Sequence, residues 1–215
     1  MTLKSYTHSP KSGKKPENIV ILLHGLGANG ADLIDLAGYW EQALPDTVFV
    51  SPDAPFPCDM APYGFQWFSL QSRAPAAMLE GIETAVPILN RFIDETLEQY
   101  GLADEKLALA GFSQGTMMSL YTAPRRAKRI AGVLGYSGAL LGAESLREEG
   151  VHKIPVRLIH GDADPVVPVE AYHMAKAALE GAGFTVSGGV TRGLPHSIDM
   201  AGIESGGAFL KEILA

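Results

Sequence analysis

The sequence predicts an α/β chain in which a mostly parallel central sheet is flanked by helices. Three observations lead there. Short apolar runs rich in β-branched residues recur along the chain, as strands buried on both faces require. Helical patterns alternate with those runs, the order that crossover connections between parallel strands produce. Finally, 215 residues with 47% hydrophobic positions can bury one sizeable core, and no linker, repeat or low-complexity tract divides them. A single domain over residues 1–215 is therefore expected.

Residues 19–23 form the first clear strand run and 48–50 the second; 107–110, 130–134, 156–159 and 184–190 follow. Between the second and third runs, Met78, Ile82, Val86, Leu89, Ile93 and Leu97 recur at helical spacing. Pro87 interrupts that pattern, so a kink or an early break is expected there. Further helices are expected over 116–122, 169–179 and 198–214, the last weakened by Gly202, Gly206 and Gly207. The Pro-rich stretch 51–62 lacks periodicity and reads as a loop over the carboxyl edge of the sheet, where binding groups gather.

A net charge of -7 and a pI near 5.3 argue against a general affinity for nucleic acid, which is bound chiefly through Lys and Arg. The single cysteine, Cys58, cannot close an internal disulfide, so a cytoplasmic address is expected. Residues 1–15 carry Lys4, Lys11, Lys14 and Lys15 without an apolar run, so neither a signal peptide nor an anchor is read there. No other stretch approaches the roughly 20 apolar residues of a membrane span, and integral membrane association is not expected.

The chemistry is concentrated where the third run meets a helix. There Gly111-Phe112-Ser113-Gln114-Gly115 forms a G-x-S-x-G elbow in a strand-turn-helix setting. The turn is sharp and crowded, so the positions two before and two after the serine must be small, and Gly111 and Gly115 meet that demand. A serine hydroxyl needs a base and a group to orient that base. Asp162 and Asp164 follow the run 156–159, and His196 follows the run ending at residue 190. The order Ser, Asp, His is that of the α/β-hydrolase fold. The segment between the elbow helix and the next strand is too short for a large lid domain.

With these residues in view, the chain resembles the phospholipase/carboxylesterase family, which includes acyl-protein thioesterases and small bacterial carboxylesterases. The resemblance rests on His24-Gly25-Leu26-Gly27, Ser51-Pro52-Asp53-Ala54-Pro55, Trp67-Phe68, the elbow, His160-Gly161-Asp162-Ala163-Asp164 and Pro195-His196-Ser197, which span nearly the whole chain. It implies Asp164 rather than Asp162 as the acid of a Ser113, His196, Asp164 triad. It also implies that the backbone N–H groups of Leu26 and Gln114 form an oxyanion hole. Thr116 departs from the second glycine that many members carry after the elbow. Esters, lysophospholipids and acyl thioesters of short to medium chain length are the implied substrates, with no cofactor, and a monomer and a homodimer both fit.

Other readings stand beside this one. Gly25-Leu26-Gly27-Ala28-Asn29-Gly30 is a literal G-x-G-x-x-G, and Asp46 or Asp53 could hold a ribose, so a dinucleotide oxidoreductase competes. A non-catalytic binding module of the same fold is the second alternative. Tyr63, Phe65, Trp67 and Phe68 fit either ordinary core or, with Phe65 and Trp67 facing substrate, an acyl groove. His24 and His160 are expected to be structural, Ser137 to pack or to support the site's own residues, and the run Arg125 to Arg129 to be a solvated helix end. No metal-ligand spacing links the histidines.

Overall fold

A computed structural model describes residues 3–215; Met1 and Thr2, the start of the polar leading segment, lie outside the described residues. In chain order the elements are β1 (Ser5–His8), β2 (Asn18–Leu23), α1 (Gly30–Ile34), α2 (Leu36–Trp40), β3 (Thr47–Pro52), β4 (Phe56–Pro57), β5 (Phe65–Gln66) and α3 (Pro75–Tyr100). They continue with β6 (Leu107–Phe112), α4 (Gln114–Thr122), β7 (Gly132–Tyr136), β8 (Val156–Gly161), α5 (Glu170–Gly181), β9 (Val186–Thr191) and α6 (Met200–Ile213). Seven strands form one sheet in the order β1-β3-β2-β6-β7-β8-β9. All its pairings are parallel except that of β1 with β3.

Alternate residues of the central strands feed two cores, because successive side chains point to opposite faces. Ile19, Ile21, Leu107, Leu109, Val133 and Val156 pack under α3, α4 and α5. Val20, Leu22, Ala108, Ala110, Leu134 and Ile159 pack under Trp40 of α2 and Ile203, Phe209 and Leu210 of α6. The near-continuous apolar runs of the sequence thus reflect burial on both sides. The stretch 123–131 between α4 and β7 holds only a short 3-10 turn, so no lid domain is inserted there. Among the described residues no helix is long and apolar enough to cross a membrane.

Several expectations are corrected in detail. The helix does not break at Pro87 but runs through it as one 26-residue element. Pro87 and Glu83 lie on its exposed side, where water can satisfy the carbonyl that the proline leaves free. The Pro-rich stretch is not wholly loop: β3 extends to Pro52, and Phe56–Pro57 pairs with Phe65–Gln66 in a small antiparallel hairpin. Arg126 is no solvated charge; it is buried and pairs with Asp94 at 2.7 Å and Asp104 at 2.8 Å. Arg125 donates to the Gly142 carbonyl at 2.7 Å and lies over the Tyr121 ring.

The glycines that weakened α6 turn out to let it dock. A methyl group on Gly206 would stand 2.1 Å from the Tyr136 hydroxyl oxygen, and one on Gly207 would stand 2.7 Å from the Trp40 ring. Trp40 Nε1–H then donates to the Ile203 carbonyl at 2.8 Å and the Tyr136 hydroxyl to the Gly202 carbonyl at 3.0 Å. The close approach explains why poor helix formers occupy this helix.

Candidate active site

Ser113 sits between β6 and α4 with φ 54° and ψ -116°, a strained backbone for a residue with a side chain. Its neighbours allow the turn. A Cβ at Gly111 would stand 2.4 Å from the Gly115 backbone, and one at Gly115 would stand 1.8 Å from the Leu23 carbonyl oxygen. Thr116 locks the elbow to the neighbouring strand: its hydroxyl lies 2.7 Å from the Gly111 carbonyl and 2.8 Å from that of Tyr136, and it accepts the Tyr136 N–H at 3.0 Å. The bulk of Thr116 is accommodated by Gly135 and Gly138, where any Cβ would fall 2.6 Å and 2.4 Å from it.

The acid and the imidazole come from the ends of β8 and β9, at the same carboxyl edge of the sheet as Ser113. His196 Nδ1 lies 2.7 Å from Asp164 Oδ2, so a neutral imidazole with its proton on Nδ1 donates to the carboxylate and leaves Nε2 as the free acceptor. Asp164 Oδ1 accepts the Val166 N–H at 2.8 Å and the Val167 N–H at 2.9 Å. Burial opposes ionisation of Asp164, but the bonds from His196 and these two N–H groups outweigh it and hold the carboxyl below its ordinary range. It is Asp164, not Asp162, that reaches the imidazole. Asp162 is exposed and accepts the Gly193 N–H, tying down the loop that carries His196. Among the described residues Ser113 Oγ makes no hydrogen bond to His196. The Phe112 ring, next in the chain, lies 4.8 Å from the imidazole.

The loop after β2 faces the elbow: a Cβ on Gly25 would stand 3.2 Å from the Ser113 Cβ. Its backbone donors are almost all consumed internally. Gly27 N–H goes to the Phe65 carbonyl, Ala28 N–H to the Gly25 carbonyl, Asn29 N–H to Asp32, Gly30 N–H to Asp53 and Ala31 N–H to the Asn29 side chain. Leu26 N–H, its neighbour Gly25 N–H and, at the elbow, Gln114 N–H take no protein acceptor among the described residues. A pyrophosphate would need several of the occupied donors at once, so this geometry disfavours the dinucleotide reading. Asp53, its would-be ribose acid, instead caps α1 at 2.8 Å.

His24 and Trp67 brace this loop. His24 Nε2 accepts the Ala54 N–H at 2.9 Å, which leaves Nδ1–H to donate to the Gly25 carbonyl at 2.7 Å. Burial lowers the pKa of this imidazole and favours that neutral form, the Gly25 bond pulling the other way. Trp67 is fully buried, and its Nε1–H donates to the His24 carbonyl at 3.0 Å, so it supports the loop from behind instead of presenting a face to substrate. Phe65 is half-buried, its backbone paired with Gly27 and Ala28. The sequence reading did not foresee the Gln114 side chain. It is fully buried, accepts the Trp67 N–H at 2.9 Å and donates to the Phe68 carbonyl at 2.7 Å, coupling the elbow to this bracing segment.

His160 is structural, as expected: Nε2–H donates to the Val167 carbonyl at 2.8 Å and lies 3.4 Å from Asp164 Oδ2. Ser137 is buried with φ 47°, its hydroxyl without a protein partner. Among the described residues no group of His, Cys, Asp and Glu could hold a metal ion.

Known proteins with this architecture point the same way. Esterase PE8 is 39% identical and superposes over 100% of both chains with a TM-score of 0.94. Acyl-protein thioesterase 1 of Kluyveromyces lactis is 31% identical over 76% of this chain and 77% of its own length. Esterase YpfH of Escherichia coli is 28% identical over 86% of this chain and 78% of its own. The sequence model of the phospholipase/carboxylesterase family matches residues 7–214, and the chain, an α/β-hydrolase fold with a serine elbow, belongs to that family.

Proposed function

We propose that in this carboxylic-ester hydrolase Ser113 is the nucleophile, His196 the base and Asp164 the acid that orients it. The observation that carries the reading is the 2.7 Å bond from His196 Nδ1 to a buried Asp164, at the sheet edge where Ser113 sits on a strained elbow. His196 Nε2 takes the hydroxyl proton as Ser113 Oγ attacks the carbonyl carbon. The negative charge that develops on the carbonyl oxygen is held by the Leu26 and Gln114 N–H groups, both among the donors without a protein acceptor. The imidazolium then protonates the departing alcohol or thiol, and water repeats the attack on the acyl-enzyme. The bond from Ser113 Oγ to His196 Nε2 forms as substrate binds, since such bonds tighten in the substrate complex.

Small esters and acyl thioesters with short to medium chains are the substrates this reading assigns, with lysophospholipids as the larger members. Relatives called esterase and acyl-protein thioesterase support both leaving atoms. The reading also gives the protein a cytoplasmic address, supported by a lone, buried cysteine that requires no oxidising compartment. Hydrolysis of p-nitrophenyl butyrate and labelling by a fluorophosphonate, followed by intact mass, test the assignment. Both are expected to vanish in Ser113→Ala while circular dichroism stays native. An unchanged rate in that variant removes Ser113 from the mechanism. An acyl-length series of matched esters and thioesters then ranks the substrates.

A further inference from the structure

Beside Phe112 the surface opens into a groove of about 290 Å³. Leu33, Leu36, Tyr39, Phe112 and Ile198 supply its apolar walls. Tyr39 is 57% exposed, far more than an aromatic ring that merely fills a core. Among the described residues the charged groups on the lining are Asp32 and Asp35, both exposed at the rim. Asp32 spends one oxygen on the Asn29 N–H at 3.0 Å, and no Lys or Arg belongs to the lining.

The position of this groove gives it a role. Phe112 immediately precedes Ser113, and its ring lies 4.8 Å from that of His196 at a tilt of 44°, while Ile198 lies on the same loop two residues past that imidazole. The groove therefore adjoins the histidine side of the site. The loop that carries Leu26 also borders the Phe112 ring, where a Cβ on Gly25 would stand 3.3 Å away, and it continues into Asp32 and Leu33 of the groove wall. A base that returns its proton to the leaving atom must have the leaving group on its own side. Apolar walls bind a hydrocarbon or aromatic body, and a rim of two carboxylates disfavours a third negative charge.

We infer that this groove is the leaving-group subsite, and that it selects esters of apolar, ring-sized alcohols that are neutral or cationic over those carrying a carboxylate. The inference rests on the triad reading above. It assigns substrate choice on this side to Asp32 and Asp35 through charge, and to Tyr39 and Ile198 through contact.

Three acetates with a common acyl group test it: phenyl acetate, 3-acetoxybenzoate and 3-acetoxy-N,N,N-trimethylanilinium. Each kcat/KM is divided by the ester's rate of alkaline hydrolysis to remove intrinsic reactivity. The cationic ester is expected to exceed the anionic one by roughly tenfold at low salt, the gap narrowing as salt screens it. In Asp32→Asn/Asp35→Asn the ratio should fall toward one; the asparagine at position 32 can still accept the Asn29 N–H. Ile198→Ala should raise KM for phenyl acetate more than for methyl acetate. Equal normalised rates for the charged esters, or a ratio the double variant does not move, overturns the subsite. So does an Ile198→Ala that shifts acyl-length preference at a fixed leaving group, because the groove would then hold the acyl chain. Failure to hydrolyse any of the three esters overturns the serine-esterase reading itself and the subsite with it.

Discussion

The hydrogen bonds of Asp164 tie the proposed acid to the fold of its own turn. Both its oxygens are occupied, one by two backbone N–H groups and the other by His196, so only the ionised form satisfies the site. Asp164→Asn keeps the size but gives His196 Nδ1 an ambiguous partner, and a loss of roughly 10⁴ in kcat is expected from the wrong tautomer. Steady-state rates on p-nitrophenyl butyrate measure it. Because the folded carboxyl lies below its ordinary 3.8, its contribution to stability is complete above that value and is lost as pH falls below it. The urea midpoints of wild type and Asp164→Asn should therefore converge between neutral pH and pH values below 3.8, and a constant gap contradicts the assignment. Asp164 and Asp162 could not be told apart from spacing, since both follow β8 by a few residues. The distinction is set by the turn, which aims one inward and leaves the other in water.

At the scale of an element, the loop after β2 is held by side chains that sequence motifs only hint at. His24 accepts from Ala54 and donates to Gly25, an arrangement only the neutral ring can make. Burial lowers its pKa from 6.5, so below 6.5 the unfolded chain takes up a proton that the folded chain resists. Its share of stability is full above 6.5 and is lost as pH falls from there toward the folded value. Chemical denaturation at pH 7.5 and pH 5 should show a drop in wild type that is smaller in His24→Gln, whose amide oxygen can still accept from Ala54. An equal drop in both assigns the acid sensitivity elsewhere. The elbow was legible because its crowding leaves a glycine signature at fixed spacing. The bracing was not, because Gln114 and Trp67 meet across 47 positions and no local pattern records that contact.

Across the whole molecule, the two-faced apolar runs revealed the sheet, while the edges stayed hidden. β1 has a half-exposed pattern and pairs antiparallel, so it lacks the buried run that marked the others. The glycines of α6 were misleading for a related reason: helix propensity is local, whereas their use is to admit Tyr136 and Trp40 from other elements. Gly206→Ala pits a helix gain of about 1 kcal/mol against a forced displacement of the Tyr136 hydroxyl, and a net loss of about 1–3 kcal/mol is expected. The clash is with the hydroxyl at 2.1 Å, so the same substitution in a Tyr136→Phe background should cost less. Thermal or urea unfolding of the four proteins in that cycle measures the coupling.

The same docking has a consequence in time. Ser113 arrives after β6, Asp164 after β8 and His196 after β9, and α6, latched by Trp40 and Tyr136, follows His196. On the proposed triad, synthesis must pass His196 before the first ester can be cut. Colour from a chromogenic ester, followed during refolding or synthesis, would act as a stopwatch whose hand starts only when the loop carrying His196 has seated.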